Sequence, residues 1–484
     1  MSKVSFVGTA GDDILNTPFA PDDPYARMPY VRMTGYGGDD VLMNTYYIAA
    51  LLDGGGGNDT LVWGSDASRD SKIPLGYTTG AVMLGGDGDD AMILEERTHV
   101  TMDGGAGDDV MVINSIAPTS GTSYVSGGDG NDTLVLGVNM RSLRHYDIQG
   151  VENLRAREGY DGAPVRFAGG QLSGFTSLEG TFIENANTKQ KLSGVHLDKV
   201  TFILSHDFNT LASHAIIADD TVTGSMTIVT GAGAERVVGG SGEDVFQVDQ
   251  TCVTGDVYDG GGGKDSLIAA HNVDLRAAVI RNVEELDSND AIFTTAQLQR
   301  ASILKGVFNA DGSTVLNLVG KTLQTGSTPS SVYDSDYFEL TFIDDGNHTV
   351  LADNTVATPL ALIGNNGVDQ LAGGRGGDIF YGGLRDVLTG HKGADKFYVD
   401  SLFSTRDSAL TITDFNHAQG DTITILFGMQ RFVGDAPLTE LGDVRAVVKG
   451  STTWIEINTS GDAAADGFVK LEGAHTLSDS DFLF

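Results

Sequence analysis

A nine-residue pattern, Gly-Gly-x-Gly-x-Asp-x-apolar-x, recurs along this 484-residue chain and constrains its fold more than any other feature. Good copies begin at Gly54, Gly85, Gly104, Gly127, Gly239 and Gly260, and partial copies run from Gly8 to Leu15 and from Gly35 to Leu42. Self-similarity of this kind is the sequence signature of repeat architectures. The chain is therefore expected to stack repeated coils rather than to fold around one ordinary core.

Each position of the pattern has a physical reason. Glycines permit the positive-φ backbone of a tight turn and let carbonyl oxygens converge. The aspartate at the sixth position supplies a hard anionic oxygen, and calcium takes six to eight oxygen ligands. The apolar eighth residue then starts a short strand that faces inward. The repeats therefore predict several calcium ions held at turns between short strands.

The spacing of the sixth-position aspartates predicts which edge of the coil each turn occupies. Steps of 19 residues, from Asp40 to Asp59 and from Asp90 to Asp109, approach two nonapeptides per coil. One edge is then expected to carry glycine–aspartate turns. The opposite edge should carry ordinary polar turns, such as residues 95–99.

A tighter spacing occurs between residues 364 and 395. Four copies follow one another there at steps of 9, 8 and 9 residues, and the third copy, Gly382–Asp386, is defective. Because steps of about nine residues alternate between edges, both edges should carry motif turns. Asp369 is then expected to stack on Asp386, and Asp378 on Asp395.

The predicted calcium ligands are the sixth-position aspartates, with first- and third-position residues of the better copies. The glycines among them would contribute carbonyl oxygens. In chain order the predicted ligands are Asp13, Asp40, Gly54, Gly56, Asp59, Gly85, Asp87, Asp90, Gly104, Ala106, Asp109, Gly127, Asp129, Asp132, Gly239, Ser241, Asp244, Gly260, Gly262, Asp265, Gly364, Asp369, Gly373, Asp378, Asp386 and Asp395.

Two stretches between the repeat blocks look duplicated. Residues 138–154 parallel residues 273–286, and each lies about one coil beyond the last motif. They are interpreted as coils without calcium that continue the solenoid. The predicted organisation is a first repeat block at 1–137, a calcium-free segment at 138–230, a second block at 231–268, a calcium-free segment at 269–355, a tandem block at 356–400 and a C-terminal cap at 401–484.

Composition limits the partners. Acidic residues outnumber basic ones by 66 to 30, a formal charge of −36, which argues against nucleic acid and anionic membranes as ligands. The chain is nevertheless 40% hydrophobic, so it can bury a core once its charge is neutralised. Its one cysteine, Cys252, excludes an intramolecular disulfide framework, and no run of 18 apolar residues predicts a membrane span.

These residues resemble the RTX (repeats-in-toxin) proteins of type I secretion. The resemblance implies an all-β fold, a calcium-binding parallel β-roll or β-solenoid closed by a C-terminal β cap. It also implies export, without a cleaved leader, to the exterior or the cell surface of a bacterium through the type I secretion apparatus. The segments around Asp395, Asp414 and Asp421 are similar to the family's closing cap, and residues 469–484 to its export signal.

Whether the chain is an enzyme stays open, with the balance toward a noncatalytic protein. No His-Glu-x-x-His or Gly-x-Ser-x-Gly motif is present, which disfavours the zinc protease and lipase classes. The favoured role is a surface-layer, adhesin or matrix protein that assembles with itself or binds a cell-surface polysaccharide. The alternative is a polysaccharide-acting lyase, epimerase or glycosidase on a parallel β-helix. Its candidate residues are Asp219 with Asp220, Asp334 with Asp336, Asp344 with Asp345, His206 and His214.

Overall fold

The fold is a parallel β-solenoid, as the repeats predict. The computed structural model describes residues 3–17, 30–45, 50–64, 80–95, 98–114, 121–137, 139–157, 164–184, 189–204, 213–231, 233–250, 255–312, 315–325, 336–400, 404–426 and 431–483. The chain divides into two compact units, the first comprising Met1–Phe246 with Val257–Gly263 and the second comprising Gln247–Asp256 with Lys264–Phe484.

Strands as far as the end of the first unit are short and regularly spaced. In chain order they are β1 (Lys3–Val7), β2 (Ile14–Asn16), β3 (Tyr30–Thr34), β4 (Val41–Asn44), β5 (Ala50–Gly56), β6 (Thr60–Trp63), β7 (Ala81–Asp87), β8 (Ala91–Leu94), β9 (Val100–Ala106), β10 (Val110–Ile113), β11 (Ser123–Asp129), β12 (Thr133–Leu136), β13 (Tyr146–Gln149), β14 (Asn153–Ala156), β15 (Val165–Phe167), β16 (Ser177–Glu184), β17 (Lys189–Leu192), β18 (His196–Ile203), β19 (His214–Ala218), β20 (Thr223–Val229), β21 (Glu235–Val238), β22 (Val245–Val248) and β23 (Val257–Asp259).

Apart from β15, which pairs with β16 in the same sheet, successive strands of the first unit alternate between parallel sheets. One sheet has the order β1-β3-β5-β7-β9-β11-β13, and a second runs through β2, β4, β6, β8, β10, β12, β14, β16, β18 and β20. Strands β17, β19, β21 and β23 belong to a third sheet. Each coil therefore consists of a strand, a turn and a strand in the facing sheet.

The core of the first unit lies between the facing sheets. Met83 of β7 is opposite Met102 of β9, and Met92 of β8 is opposite Met111 of β10. The period-two alternation of a strand places these side chains on the inner face. All four are completely buried. Met92 and Met111 occupy the apolar eighth position of the repeat, so this position contributes to the core.

The second unit contains the remaining strands and one short helix, α1 (Thr295–Arg300). Its strands are β24 (Ser266–Ala269), β25 (Val279–Arg281), β26 (Glu285–Thr294), β27 (Ile303–Asp311), β28 (Leu316–Asn317), β29 (Thr322–Gln324), β30 (Phe338–Phe342), β31 (Thr349–Leu351), β32 (Leu360–Ile363), β33 (Gln370–Ala372), β34 (Ile379–Gly382), β35 (Val387–Thr389), β36 (Lys396–Val399), β37 (Leu410–Ile412), β38 (Thr422–Ile425), β39 (Arg431–Phe432), β40 (Asp443–Lys449), β41 (Thr452–Ile457) and β42 (Gly467–Glu472). Two single-turn 3₁₀ helices span His417–Gln419 and Asp479–Asp481.

The second unit ends in a β cap. Strands β28, β31, β33, β35 and β37 form one parallel sheet, which β42 joins in parallel. Strand β41 is antiparallel to both β42 and β40, so the winding of the solenoid stops at this point. The C-terminal cap predicted from the sequence is therefore part of the fold.

The repeat pattern does not predict helix α1. Thr294 caps it, and the side chains of Thr294 and Gln297 each accept a hydrogen bond from the other's backbone N–H. This local capping box explains a helical turn between two long strands. Within the described part of the chain, no helix is long and apolar enough to cross a membrane. The six-segment organisation stays a prediction.

Candidate calcium sites

The glycine–aspartate turns join strands of the two facing sheets at one edge of the first unit. Strand β9 continues through Gly104 and Gly105 to Ala106, and β10 begins directly after Asp109. Gly105 and Gly107 have φ angles of 112° and 133°, a backbone conformation that residues other than glycine rarely adopt. The glycines therefore let the chain reverse its direction within a few residues. The aspartate of each turn then stacks against the turn of the neighbouring coil.

The sixth-position aspartates of the first unit form a continuous ladder along this edge. The backbone N–H of each one donates to Oδ1 of the aspartate one coil further along the chain. The N···O distances are 2.7 Å for Asp13 to Asp40, 2.8 Å for Asp40 to Asp59, 2.7 Å for Asp59 to Asp90, and 2.8 Å for both Asp90 to Asp109 and Asp109 to Asp132. The 19-residue spacing thus corresponds to stacking on one edge. Residues 96 and 97 of the expected opposite turn lie outside the described residues.

In five of these six aspartates, the other carboxylate oxygen has no hydrogen-bond partner. Oδ2 is buried and accepts no hydrogen bond in Asp40, Asp59, Asp90, Asp109 and Asp132, and these side chains are at most 2% exposed. A buried anionic oxygen without a partner is strongly destabilising unless a cation compensates it. When the carboxylates are ionised, a row of such oxygens therefore suits a row of cations.

The first glycine of each motif lets the oxygens that would bind those cations come close together. A Cβ built on Gly104 would lie 2.1 Å from Asp109 Oδ2 and 2.4 Å from the carbonyl oxygen of Gly127. The corresponding distances at Gly85 are 2.2 Å and 2.3 Å, to Asp90 Oδ2 and the carbonyl oxygen of Gly104. A carboxylate oxygen and a carbonyl oxygen of the next coil thus converge where a side chain is missing. This donor set fits calcium, which prefers hard oxygen ligands.

Third-position residues join neighbouring coils through their backbone carbonyl groups. The carbonyl oxygens of Asp87, Ala106 and Asp129 accept bonds of 2.7–2.8 Å from the fourth-position glycines of the preceding coil. A carbonyl oxygen has two lone pairs, so one remains for an ion. Gly56, the third-position residue of its copy, lies at the end of β5.

The second repeat block differs in how its aspartates are held. Both carboxylate oxygens of Asp244 accept backbone N–H groups at 2.9 Å, from Met226 and Gly240. Gly239 retains the cradle, since a Cβ there would lie 2.1 Å from the carbonyl oxygen of Gly260 and 2.3 Å from Asp244 Oδ2. Ser241 Oγ donates to the carbonyl oxygen of Val222 at 2.8 Å, so it is already used.

The end of the second block continues the ladder with a different residue. The backbone N–H of Asp265 donates to Glu284 Oε2 at 2.9 Å. The backbone N–H of Gly262, a predicted ligand, donates to the carbonyl oxygen of Gly240 at 2.8 Å. Glu284 thus occupies the place that an aspartate takes elsewhere in the ladder.

The tandem block places its aspartates in two separate pairs. The backbone N–H of Asp369 donates to Asp386 Oδ1 and that of Asp378 to Asp395 Oδ1, both at 2.8 Å. These are the two stacks that the alternating spacing predicts. Gly364 and Gly373 keep the cradle, because a Cβ there would lie 2.4 Å and 2.3 Å from the Oδ2 atoms of Asp369 and Asp378, respectively.

Two of the four tandem aspartates have a second oxygen that remains open. Oδ2 of Asp369 and of Asp395 is buried without a hydrogen bond. Oδ2 of Asp378 and of Asp386 each accepts a backbone N–H of its own turn at 2.6 Å. Asp369 and Asp395 therefore fit a cation better than their partners do.

Sequence reasoning missed a second ladder at the fifth position of the repeat. Asp12, Asp39, Asn58, Asp89 and Asp108 each accept the backbone N–H of the fifth-position residue one coil further along, at 2.8–2.9 Å, and Asn131 is the last donor. This exposed ladder runs opposite in direction to the buried sixth-position ladder. The signal was present, since every one of these copies has Asp or Asn there and such side chains accept backbone N–H groups readily.

Three further ladder residues were not among the predicted ligands. Glu152 Oε2 accepts the N–H of Asp132 at 2.8 Å, as Glu284 does for Asp265. The duplication that contains Glu152 and Glu284 was visible in the sequence, but its role as a ladder end was not. Asp421 Oδ1 accepts the N–H of Asp395 at 3.1 Å and extends one tandem stack into the cap.

A histidine takes the sixth position at the other end of the tandem block. The N–H of His348 donates to Asp369 Oδ1 at 2.7 Å. The buried ring of His348 lies between two carboxylates, with Nδ1 2.9 Å from Asp369 and Nε2 2.7 Å from Asp344. Asp344, suggested by the sequence as half of a catalytic pair, therefore holds a ladder residue in place.

Burial changes the acidity of the ladder aspartates. It raises the pKa of Asp59 and Asp109 to about 6 and that of Asp90 to about 7, from an ordinary value of 3.8. Burial also raises the pKa of Asp378 to about 7 and of Asp395 to about 8. Neighbouring carboxylates add to the effect in most of these cases. Calcium must bind the ionised form, so its binding releases protons near neutral pH.

The carboxylate pairs considered for catalysis are mostly held in turns. Asp219 accepts the N–H of Thr221 at 3.0 Å, and Asp345 accepts the side-chain amide of Asn366 at 2.8 Å. Asp334 and His206 lie outside the described residues, as does Cys252. His214 is buried at the start of β19.

One acidic residue of β30, Glu339, has a raised pKa outside the repeat turns. Burial and the charge of Asp290 raise the pKa of Glu339 to about 6, and its Oε2 has no hydrogen-bond partner. Asp290 has a left-handed φ of 67° at a β-bulge between Asn289 and Ala291. The sequence does not predict that Asp290 and Glu339 lie close together, because the bulge and the pairing of β30 bring them together.

No cluster of metal-binding side chains accompanies these turns. Among the described residues, no three His, Cys, Asp or Glu side chains come together in a way that could hold an ion. Ligation at the repeats would therefore depend on one carboxylate per turn and on backbone carbonyl oxygens. Such a set suits calcium rather than zinc, which prefers nitrogen and sulfur.

Comparison with known proteins gives the same repeat. The family model of the RTX calcium-binding nonapeptide repeat matches four places, residues 51–67, 119–138, 227–247 and 362–384. Among solved structures, the chain is similar to the solution structure of the AlgE6R3 subunit from the Azotobacter vinelandii mannuronan C5-epimerase. The identity is 26%, the match covers 32% of this chain and 82% of that one, and the TM-score is 0.21. No curated protein matches the chain.

Proposed function

Because this chain is a β-roll protein with RTX calcium-binding nonapeptide repeats, we propose that it is a noncatalytic surface-layer, adhesin or matrix protein that folds on extracellular calcium. The observation that carries this proposal is the row of buried aspartate Oδ2 atoms without partners along one edge of the first unit. Each atom belongs to a turn between stacked coils, so the ions would join coil to coil. Their role is then to hold the scaffold together.

The route to the exterior follows from the repeat family. RTX repeats are typical of proteins exported by type I secretion, and an unfolded chain of charge −36 suits such passage because mutual repulsion opposes folding without calcium. The partners would be the type I apparatus during export, and then other copies of the chain or a cell-surface polysaccharide.

The enzyme alternative has one observation in its favour, the Glu339 and Asp290 pair. A carboxyl group with a pKa raised to about 6 by burial is suited to act as a general acid. Glu339 is, however, only 6% exposed, which limits its contact with a polymer. The noncatalytic role is therefore the better supported of the two.

Electron microscopy of the purified protein tests this proposal. With about 1 mM calcium, in the range over which extracellular calcium modules bind, we expect ordered layers or filaments. In excess chelator we expect none. Calcium-loaded particles that stay separate and cleave or modify a polysaccharide would contradict it, the more so if Glu339→Gln abolished the turnover.

A further inference from the structure

An open groove of about 530 Å³ lies on the β cap. Its floor is the sheet of β40, β41 and β42, where Arg445, Glu456 and Phe468 are directly opposite one another on the three strands. Residues 404–406 form part of its wall. Its volume is within the range of sites that bind small ligands.

The charge of the groove is opposite to that of the protein. Arg406, Arg445 and Lys449 line it against a single acid, Glu456, which leaves a formal charge of three minus one, or +2. The whole chain has a charge of −36. A cluster of positively charged side chains on so acidic a protein favours the binding of an anion at that place.

The two guanidinium groups are fixed before any ligand arrives. The carboxylate of Glu456 is 3% exposed and accepts from Arg445 Nε at 2.8 Å and from its terminal nitrogen at 2.6 Å. Arg406 donates to the other oxygen of Glu456. Because both oxygens are engaged, Glu456 orients the guanidinium groups, and their other N–H groups can bind a second anion.

Two aromatic rings lie next to the guanidinium group of Arg406. The guanidinium carbon of Arg406 lies 5.4 Å from the centre of the Trp454 ring and 5.3 Å from that of Phe468. The two rings meet edge to face at a centroid distance of 6.5 Å. Such contacts hold Arg406 over the rings. Ser404 and Thr405 add hydroxyl groups to the lining.

We propose that this groove binds a carboxylate-bearing sugar residue of an acidic glycan. Guanidinium forks match the planar geometry of a carboxylate. The Phe468 ring in the lining offers an apolar surface to the sugar ring. The Ser404 hydroxyl bonds to the backbone N–H and carbonyl oxygen of Phe468, so it holds the wall against β42. This inference rests on the proposed extracellular role for the source of its ligand, but not on the calcium sites.

A second copy of this acidic chain is the competing occupant. A stable protein interface buries roughly 1,200–2,000 Å² in total, whereas this groove has the size of a site for one small ligand. Its size and its paired guanidinium groups favour the sugar. Self-association through the groove is therefore an outcome that the experiment must distinguish.

Isothermal titration of the calcium-loaded full chain with defined tetrasaccharides tests the proposal. We expect a glucuronate-containing or a galacturonate tetrasaccharide to bind, and its carboxyl-reduced counterpart not to bind. Arg406→Gln should weaken binding on the order of 10-fold or more, because a charged hydrogen bond is lost. Lys449→Gln, at an exposed position, should weaken it less. Lys264→Gln is the matched control, since Lys264 pairs with Glu285 elsewhere in this unit.

Several results would overturn the proposal. They are no binding of either acidic tetrasaccharide, equally tight binding of polyglutamate, or equal affinity of all three variants. Sedimentation that showed self-association abolished by Arg406→Gln, with no tetrasaccharide binding, would assign the groove to a second copy instead. Calcium-dependent circular dichroism of each variant checks that it folds. If the groove bound no acidic glycan, calcium-induced assembly would be unchanged. The groove proposal and the proposed function can therefore fail independently of each other.

Discussion

In excess chelator at neutral pH, the protein is expected to lose most of its β-sheet circular dichroism and to regain it cooperatively as calcium is restored. The buried Oδ2 atoms along the first unit have no compensating partner within the protein. Extracellular calcium modules bind with dissociation constants near 10⁻⁴–10⁻³ M, so about 1 mM calcium stabilises each site by roughly 0.4–1.4 kcal/mol. About eight such sites would contribute on the order of 3–11 kcal/mol, comparable to the net stability of a domain.

The pH dependence in chelator follows from the raised pKa values. In the calcium-free fold, burial raises the pKa of Asp90 and Asp378 to about 7 and of Asp395 to about 8. A carboxyl group whose folded pKa exceeds its unfolded value stabilises the fold fully below the unfolded pKa. That contribution is lost as the pH rises through the folded pKa. Without calcium, we therefore expect the β signal to be lost between about pH 4 and pH 8.

Circular dichroism against pH and calcium concentration measures both effects. Magnesium at the same concentration is the control, because it demands smaller, near-octahedral sites and dehydrates reluctantly. A full β spectrum at pH 8 in excess chelator would contradict the expectation. So would a calcium-free fold that became more stable as the pH rose from 5 to 8.

Gly104→Ala is expected to destabilise the first unit by about 1.5–4 kcal/mol and to raise the calcium concentration needed for folding. Its Cβ would lie 2.1 Å from Asp109 Oδ2 and 2.4 Å from the carbonyl oxygen of Gly127, distances that force the backbone to move. Overpacking of this kind costs about 1–3 kcal/mol. Displacement of the ion that the two oxygens would share adds roughly 0.4–1.4 kcal/mol.

Gly11→Ala is the matched control for this substitution. Gly11 is the fourth residue of a partial copy of the repeat, and a Cβ there would meet no atom within 4 Å. Calcium titration and thermal melting should therefore find Gly11→Ala close to the parent protein and Gly104→Ala far from it. Equal behaviour of the two variants would show that the cradle over Gly104 has no structural role.

The sequence predicts the parallel roll because its repeat is periodic in the properties that set the fold. Eighth-position residues such as Met92 and Met111 alternate with more exposed neighbours, so they face the core between the sheets. The spacing of nine and about eighteen residues also predicts which aspartates stack. Asp369 pairs with Asp386 for this reason.

The rest depends on contacts that have no linear spacing. Glu152 and Glu284 end the ladders because they follow one coil after the last motif, although no motif contains them. Glu339 is brought beside the bulged Asp290 by strand pairing. The groove at Glu456 depends on an antiparallel cap whose register the sequence does not reveal.

Anomalous scattering from crystals grown in calcium locates each ion, so it tests whether calcium lies in the glycine–aspartate turns. We expect calcium peaks in single file along the edge of Asp40, Asp59, Asp90, Asp109 and Asp132, each beside an Oδ2 atom that has no partner in the protein. Peaks in the tandem block should lie in two files, one with Asp369 and one with Asp395. The absence of any peak beside Asp90 and Asp109 would show that the glycine–aspartate turns do not bind calcium. A file of peaks along the edge expected to carry residues 95–99 would show that the calcium ions lie on the opposite edge.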